Sequence, residues 1–137
     1  MREENAGRTV ELEDLEWEHR PLFIFAPSTD TESYQDQAQG LQGRKTGLRD
    51  RDMVVFRVVS EGQSRVDGRE LNRADETYLR QRFDVDTGQF AVILVGKDGT
   101  VKMRCDGPVK MDEIFDRIDS MPMRKREMKE EEDGQNN

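Results

Sequence analysis

A chain of 137 residues with a formal net charge of −8 has room for one domain with a modest core. Its 38% charged residues beside 33% hydrophobic ones predict polar segments outside a small folded body, and no apolar run is long enough for membrane insertion. The acidic surplus argues against a nucleic-acid partner and against attachment to anionic lipid.

Met1 to Leu15 is polar and acidic, with Val10, Leu12 and Leu15 as its only anchors. It predicts a flexible arm over residues 1–11 that becomes ordered near Leu12. Trp17, the single tryptophan, is expected to pack, and His19 stands alone as a surface histidine. Leu22-Phe23-Ile24-Phe25-Ala26 is continuously apolar, as a central strand covered on both faces should be. A polar corner, Pro27-Ser28-Thr29-Asp30, leads into a helix over Thr31 to Leu41, which Gly40 and Gly43 stop. Arg49-Asp50-Arg51-Asp52 is expected as a charged loop ahead of a second strand, Met53 to Val59. A polar turn region with Gly62 and Gly68 follows. Leu71, Ala74, Tyr78, Leu79 and Phe83 then fall at near-helical spacing, with Asn72 able to cap the first turn.

Phe90 to Cys105 carries a hairpin pattern, with an Asp98-Gly99 turn and a return strand that alternates Val101, Met103 and Cys105 against Lys102 and Arg104. Met111, Ile114, Phe115 and Ile118 form one stripe of a helix that Pro122 should break. The basic run Arg124-Lys125-Arg126 precedes Glu130, Glu131, Glu132 and Asp133, whose charges cancel it. The folded domain is therefore set at residues 12–128 and a disordered acidic tail at 129–137. The order of elements is strand, helix, strand, helix, hairpin, helix. A right-handed parallel crossover between the first two strands makes this an α/β fold. Its mixed four-stranded sheet, of order 2-1-3-4 and flanked by helices, resembles the thioredoxin arrangement.

Four segments sharpen that likeness: Trp17 to Pro27 (WEHRPLFIFAP), Arg51 to Val55 (RDMVV), Gly96 to Gly99 (GKDG) and Asp119 to Arg124 (DSMPMR). Together they resemble a group of thioredoxin-like domains catalogued as a domain of unknown function. In animals a similar domain occurs in sushi-repeat proteins and in the matrix protein coiled-coil domain-containing protein eighty. The resemblance covers roughly residues 12 to 128. It implies the fold, a protein or matrix partner, and no established activity. It would also allow a secreted or periplasmic protein whose leader has been removed. The lone Cys105 cannot close an internal disulfide, and no signal peptide is legible in this chain, so neither fixes the compartment.

The corner after the first strand is where thioredoxins carry Cys-x-x-Cys. Here it holds Ser28, Thr29 and Asp30, and no proline stands before the third strand at Thr87-Gly88-Gln89-Phe90. Peroxiredoxins instead carry Pro-x-x-x-Thr-x-x-Cys; Pro27, Thr31 and Tyr34 match those offsets, with a phenol where the peroxidatic thiol would stand. A phenol cannot replace a thiolate in peroxide attack. The candidate ligand-binding residues are thus Ser28, Thr29, Asp30, Tyr34 and Arg104, set against the simpler reading that Ser28, Thr29 or Asp30 caps the helix. Arg49, Arg51, Arg80 and Arg104 are the cations available to a groove beside the corner. No catalytic residues, cofactor or metal ligands are expected. Two functions follow: a non-catalytic binding or adhesion-type module, and a degenerate peroxiredoxin-like or thiol-redox enzyme using Cys105. Alternation places Cys105 against the stripe of Ile114, Phe115 and Ile118, where it would react slowly.

Overall fold

The computed structural model describes residues 7–135. Residues 1–6 of the expected arm and 136–137 of the expected tail lie outside the described residues.

The apolar run forms the centre of β1 (Arg20–Ser28), whose residues are buried from Arg20 through Ala26. A strand covered on both faces cannot alternate polar with apolar residues, and this one does not. β2 (Met53–Glu61) pairs with it in parallel, and β5 (Ala91–Val95) pairs antiparallel on its other side. β6 (Val101–Cys105) returns antiparallel to β5. These four strands keep the expected order, but the sheet has six strands rather than four. The addition is a small hairpin, β3 (Arg65–Val66) and β4 (Arg69–Glu70), inside the stretch expected as a polar turn. Asp67 and Gly68 between them both have positive φ, 49° and 96°, the geometry of a two-residue type I′ turn. Asp67 Oδ1 and Ser64 Oγ accept the N–H groups of Val55 and Val59, each at 2.9 Å. Side chains thus continue the β2 ladder where β3 is too short to do so.

Alternation along β1 divides the interior in two. Leu22, Ile24 and Ala26 pack with residues of α1 (Glu32–Leu41) and α4 (Met111–Asp119). Phe23 and Phe25 face α3 (Arg73–Phe83). The Phe23 ring lies 4.6 Å from both Phe56 and Phe83, and each such aromatic pair contributes about 0.5–1.5 kcal/mol beyond area burial. Asn72 caps α3 as expected, in a reciprocal capping box with Asp75.

Four local expectations are corrected. The segment Arg49-Asp50-Arg51-Asp52 is not a plain loop: α2 (Lys45–Asp50) takes its first half, because Leu48 packs on the α1-side core. The break expected at Pro122 is present, and the proline begins a further helix, α5 (Pro122–Gln135), since proline suits a first helical position. That helix runs on through residues 129–135, the expected disordered tail; once its first turns are anchored, extending it through Lys- and Glu-rich sequence is cheap. Trp17 does not pack. It is 62% exposed with φ 72°, because Leu12 and Leu15 of the preceding 3-10 turn (Leu12–Leu15) already fill the adjacent core.

The fourth correction is the arm, which is docked from Thr9 rather than flexible to residue 11. Val10 is 4% exposed, and the N–H groups of Thr9 and Val10 donate to Asp75 Oδ1 at 2.6 and 3.0 Å. Thr9 Oγ1 adds a bond to Oδ2 at 2.8 Å. Burial alone would push the Asp75 carboxyl up, but the bonds from Thr9, Asn72 and Val10 outweigh it and hold the group below its ordinary value. Asp75→Ala is therefore expected to lower unfolding stability in urea by about 2–3 kcal/mol, because it strands buried N–H groups of the arm. Asp75→Asn, which keeps one acceptor, should lose less.

Candidate functional site

β1 ends at Ser28 and α1 begins beyond Thr31, so the corner between them is a short polar turn. Ser28 Oγ accepts the Asp30 N–H at 3.2 Å, and Thr31 Oγ1 donates to the Ser28 carbonyl at 3.2 Å. The helix N-cap is Thr31, not Ser28, Thr29 or Asp30, and its side chain makes no capping bond. The hydroxyls of Ser28 and Thr31 are engaged within the turn, and the exposed Asp30 carboxylate repels any anion approaching the helix start. Tyr34 sits in the first turn of α1, 9% exposed, with its ring in the α1-side core. Its hydroxyl accepts a long bond of 3.5 Å from Arg57.

Arg104 does not join them. It lies opposite Ile93 on the α3 face of the sheet and donates to the carbonyls of Phe83 and Asp84. There it complements the C-terminal end of α3, where orphan carbonyls favour a cation. Of the five candidate residues the structure gathers Ser28, Thr29, Asp30 and Tyr34 at one corner and places Arg104 two strands away on the opposite face. Arg80 does approach the corner, but it is fully engaged. It donates to Glu76 Oε2 at 2.9 Å, Ala26 O at 3.1 Å, Ser60 Oγ at 2.9 Å and Asp86 O at 2.7 Å. Arg51 belongs to the far end of the sheet. The four arginines do not line one groove.

Cys105 pairs across the sheet with Val92, which in turn faces Ile24 of β1, so the thiol is two strands from the central strand. At about 4.8 Å per strand that is roughly 10 Å. Met103 packs on the core that contains α4, as alternation predicts. Cys105, at the end of the strand, is only half-buried and borders a surface hollow with Gln89, Phe90 and Asp106. The expectation of a packed thiol is corrected: the strand ends before the helix covers it.

The densest polar assembly lies at the opposite end of the sheet. Arg20, 1% exposed at the head of β1, forks onto Glu127 of α5 at 3.2 and 3.1 Å and donates to Arg51 O at 2.8 Å. Lys97 bridges the same Glu127 at 2.7 Å and Asp52 at 2.8 Å. Beside it, Arg51 forks onto Asp119 at 3.1 and 2.9 Å while lying 4.1 Å from the centre of the Phe115 ring. Arg124 also donates to Asp119, at 3.2 Å, and to Asp50 O at 2.9 Å. Arg20, Arg51, Asp52, Lys97, Asp119 and Arg124 thus come from all four segments that carry the family resemblance, and they meet here. Their partner Glu127 went unrecognised in the sequence, although its spacing of three from Arg124 places both on one helical face. Each cation of the cluster faces a carboxylate, so the assembly works as a clasp holding α5 to the sheet. Arg20 Nε is the one buried side-chain nitrogen or oxygen without a partner among the described residues.

Comparison with known proteins gives the family and the fold. The family described as "Domain of unknown function (DUF4174)" matches residues 11–127. The chain is similar to coiled-coil domain-containing protein 80 of Danio rerio, 28% identical over 93% of this chain and 17% of that protein. It is likewise 28% identical to the sushi repeat-containing protein SRPX2 of Xenopus laevis, over 86% of this chain and 26% of that protein. The chain therefore spans only a small part of the curated relatives it matches. Among solved structures, the reduced 2-Cys peroxiredoxin of Plasmodium vivax superposes with a TM-score of 0.65 at 15% identity, covering 85% of each chain. At that identity the likeness speaks for the fold alone, and the fold is thioredoxin-like. Among the described residues no helix is long and apolar enough to cross a membrane.

The clasp makes a testable acid dependence. Burial would raise the Glu127 and Asp119 carboxyls, but bonds from Lys97 and Arg20, and from Arg51 and Arg124, hold both below their ordinary values. A depressed carboxylate contributes stability above its unfolded value, near 4 to 4.5, and loses it as pH falls through the folded value. Stability measured in urea should therefore be level from neutral pH to about 5 and fall steeply below about 4. Glu127→Gln should lower stability at pH 7 by about 3 kcal/mol by leaving Arg20 buried without its counterion, and should flatten the acid limb.

Proposed function

The chain belongs to the DUF4174 family, a thioredoxin-like domain of unknown function, and we propose that it acts as a non-catalytic binding module for a protein or matrix partner. One observation carries the reading. At the corner where this fold can support thiol chemistry, the position matching a peroxidatic thiol holds the buried phenol of Tyr34, while Ser28 Oγ accepts from Asp30 N–H and Thr31 Oγ1 donates to the Ser28 carbonyl. A site of that kind lacks the thiol nucleophile. The relatives' own names, one a sushi-repeat protein, support a modular part in a larger assembly.

The competing reading is thiol chemistry at Cys105, and its half-exposed position is the observation in its favour. Against it, the chain has a single cysteine, so no resolving thiol is present, and the neighbouring Arg104 guanidinium is engaged by two carbonyls rather than turned toward the sulfur.

The two readings separate in assays of the full chain. With dithiothreitol as reductant, consumption of hydrogen peroxide and reduction of insulin disulfides should both equal a buffer blank. Turnover above blank that Cys105→Ser abolishes would overturn the non-catalytic reading. A thiol reagent at neutral pH should label Cys105 in the native protein, more slowly than in denaturant but to completion. Any partner captured by the chain should be retained equally by Cys105→Ser under non-reducing conditions, since binding needs no thiol.

A further inference from the structure

The run Met53 to Val59 hides one residue that the core does not explain. Along β2 the side chains of Met53, Val55 and Val59 enter the core shared with α1 and α4, and alternation puts Arg57 on the same face. A charged residue on the covered face of an interior strand ordinarily has a carboxylate or several acceptors. Arg57 forms no ion pair with a described residue. Its one hydrogen bond is the 3.5 Å contact with Tyr34 Oη, at the limit of such a bond. Nearby ion pairs run elsewhere, from Arg44 to Asp112 and from Arg65 to Glu70.

Arg57 opens instead into a groove of about 580 Å³ between α2 and the Asp67-Gly68 turn. The volume lies in the usual range for small-molecule sites, about 300–1,000 Å³. Leu41, Leu48, Met53 and Val55 supply its apolar part, and Lys45 and Arg49 join Arg57 as its cations. Neither Lys45 nor Arg49 pairs with a carboxylate among the described residues. Its one acid, Asp67, accepts the Val55 N–H through Oδ1 at 2.9 Å, and the three cations outnumber it. In a chain of net charge −8, three cations around one hollow are not a reflection of overall composition. They make a local positive field over an apolar floor.

We propose that this groove binds a small organic anion, with its acidic group between Arg57, Lys45 and Arg49 and its apolar body on Leu41, Leu48, Met53 and Val55. The inference goes beyond the partner-binding reading and does not depend on it. The recognised chemistry is a sulfonate, phosphate or carboxylate attached to a ring or short hydrocarbon.

The probe is 1-anilinonaphthalene-8-sulfonate, titrated fluorimetrically into the full chain at pH 7 and low salt. Saturable one-to-one binding is expected, weakened by added sodium chloride and competed by naphthalene-1-sulfonate but not by neutral 1-naphthol. Arg57→Met should raise Kd at least fivefold, and so should the double variant Lys45→Gln with Arg49→Gln, whose changes lie on an exposed helix. Melting temperatures identify a folded variant, and the surface double variant keeps the test valid if Arg57→Met unfolds. A Kd that rises less than fivefold in either folded variant overturns the proposal. So does competition by 1-naphthol equal to that of the sulfonate, or saturation by many probe molecules per chain.

Discussion

A guanidinium at the head of a strand buried on both faces is the constraint from which much of this molecule follows. Arg20 opens β1 with almost no exposure, and an ion so removed from water is costly unless a counterion meets it with good geometry. Among the described residues no carboxylate near it in sequence pairs with it. Glu127 does so from the last helix, which must fold across the base of the sheet to deliver it. Lys97, from the turn after β5, and Asp52, from the turn before β2, then complete the cluster. Two connections and the final helix meet at one buried charge.

The same device recurs because apolar surface is scarce. With 33% hydrophobic residues divided between two cores, neither core can hold the chain ends by area alone. Asp75 gathers the N-terminal segment by accepting backbone N–H groups, and Arg80 with Glu76 finishes the upper end of β1 from the α3 side. Hydrogen-bonded charges of this kind add little net stability compared with a well-packed apolar substitute, but they admit only one arrangement of partners. At the corner after β1, the Ser28 and Thr31 side chains bond within their own turn in the same local way.

What the sequence discloses depends on whether a signal is periodic. Leu22 to Ala26 and the hairpin of Phe90 to Cys105 announce themselves because burial on one or two faces imposes a repeat. The β3–β4 hairpin has two residues per strand, too few for alternation, and its only mark is the dipeptide Asp67-Gly68. Helix α5 beyond residue 128 is hidden for another reason: a fully solvated helix and a charged coil share one composition. Linear spacing cannot tell whether Arg104 lies near the corner, and its place on the strand turns it to the opposite face. The clasp is invisible locally, since Arg20 and Glu127 stand 107 residues apart. Arg57 is the converse case. A lone cation inside MVVFRVV breaks the pattern visibly, yet only the fold reveals that it looks into a hollow.

Trp17 has an optical consequence. Its left-handed backbone and the bond from its N–H to Lys97 O hold the indole outward, in water, in the native protein. It is the chain's single tryptophan, so nearly all ultraviolet emission from the molecule originates at a ring that is already hydrated. Unfolding leaves that environment almost unchanged and should barely move the emission maximum. Anything that covers the turn around Trp17 will shift the maximum to the blue, so the chain carries a native reporter of contact rather than of folding.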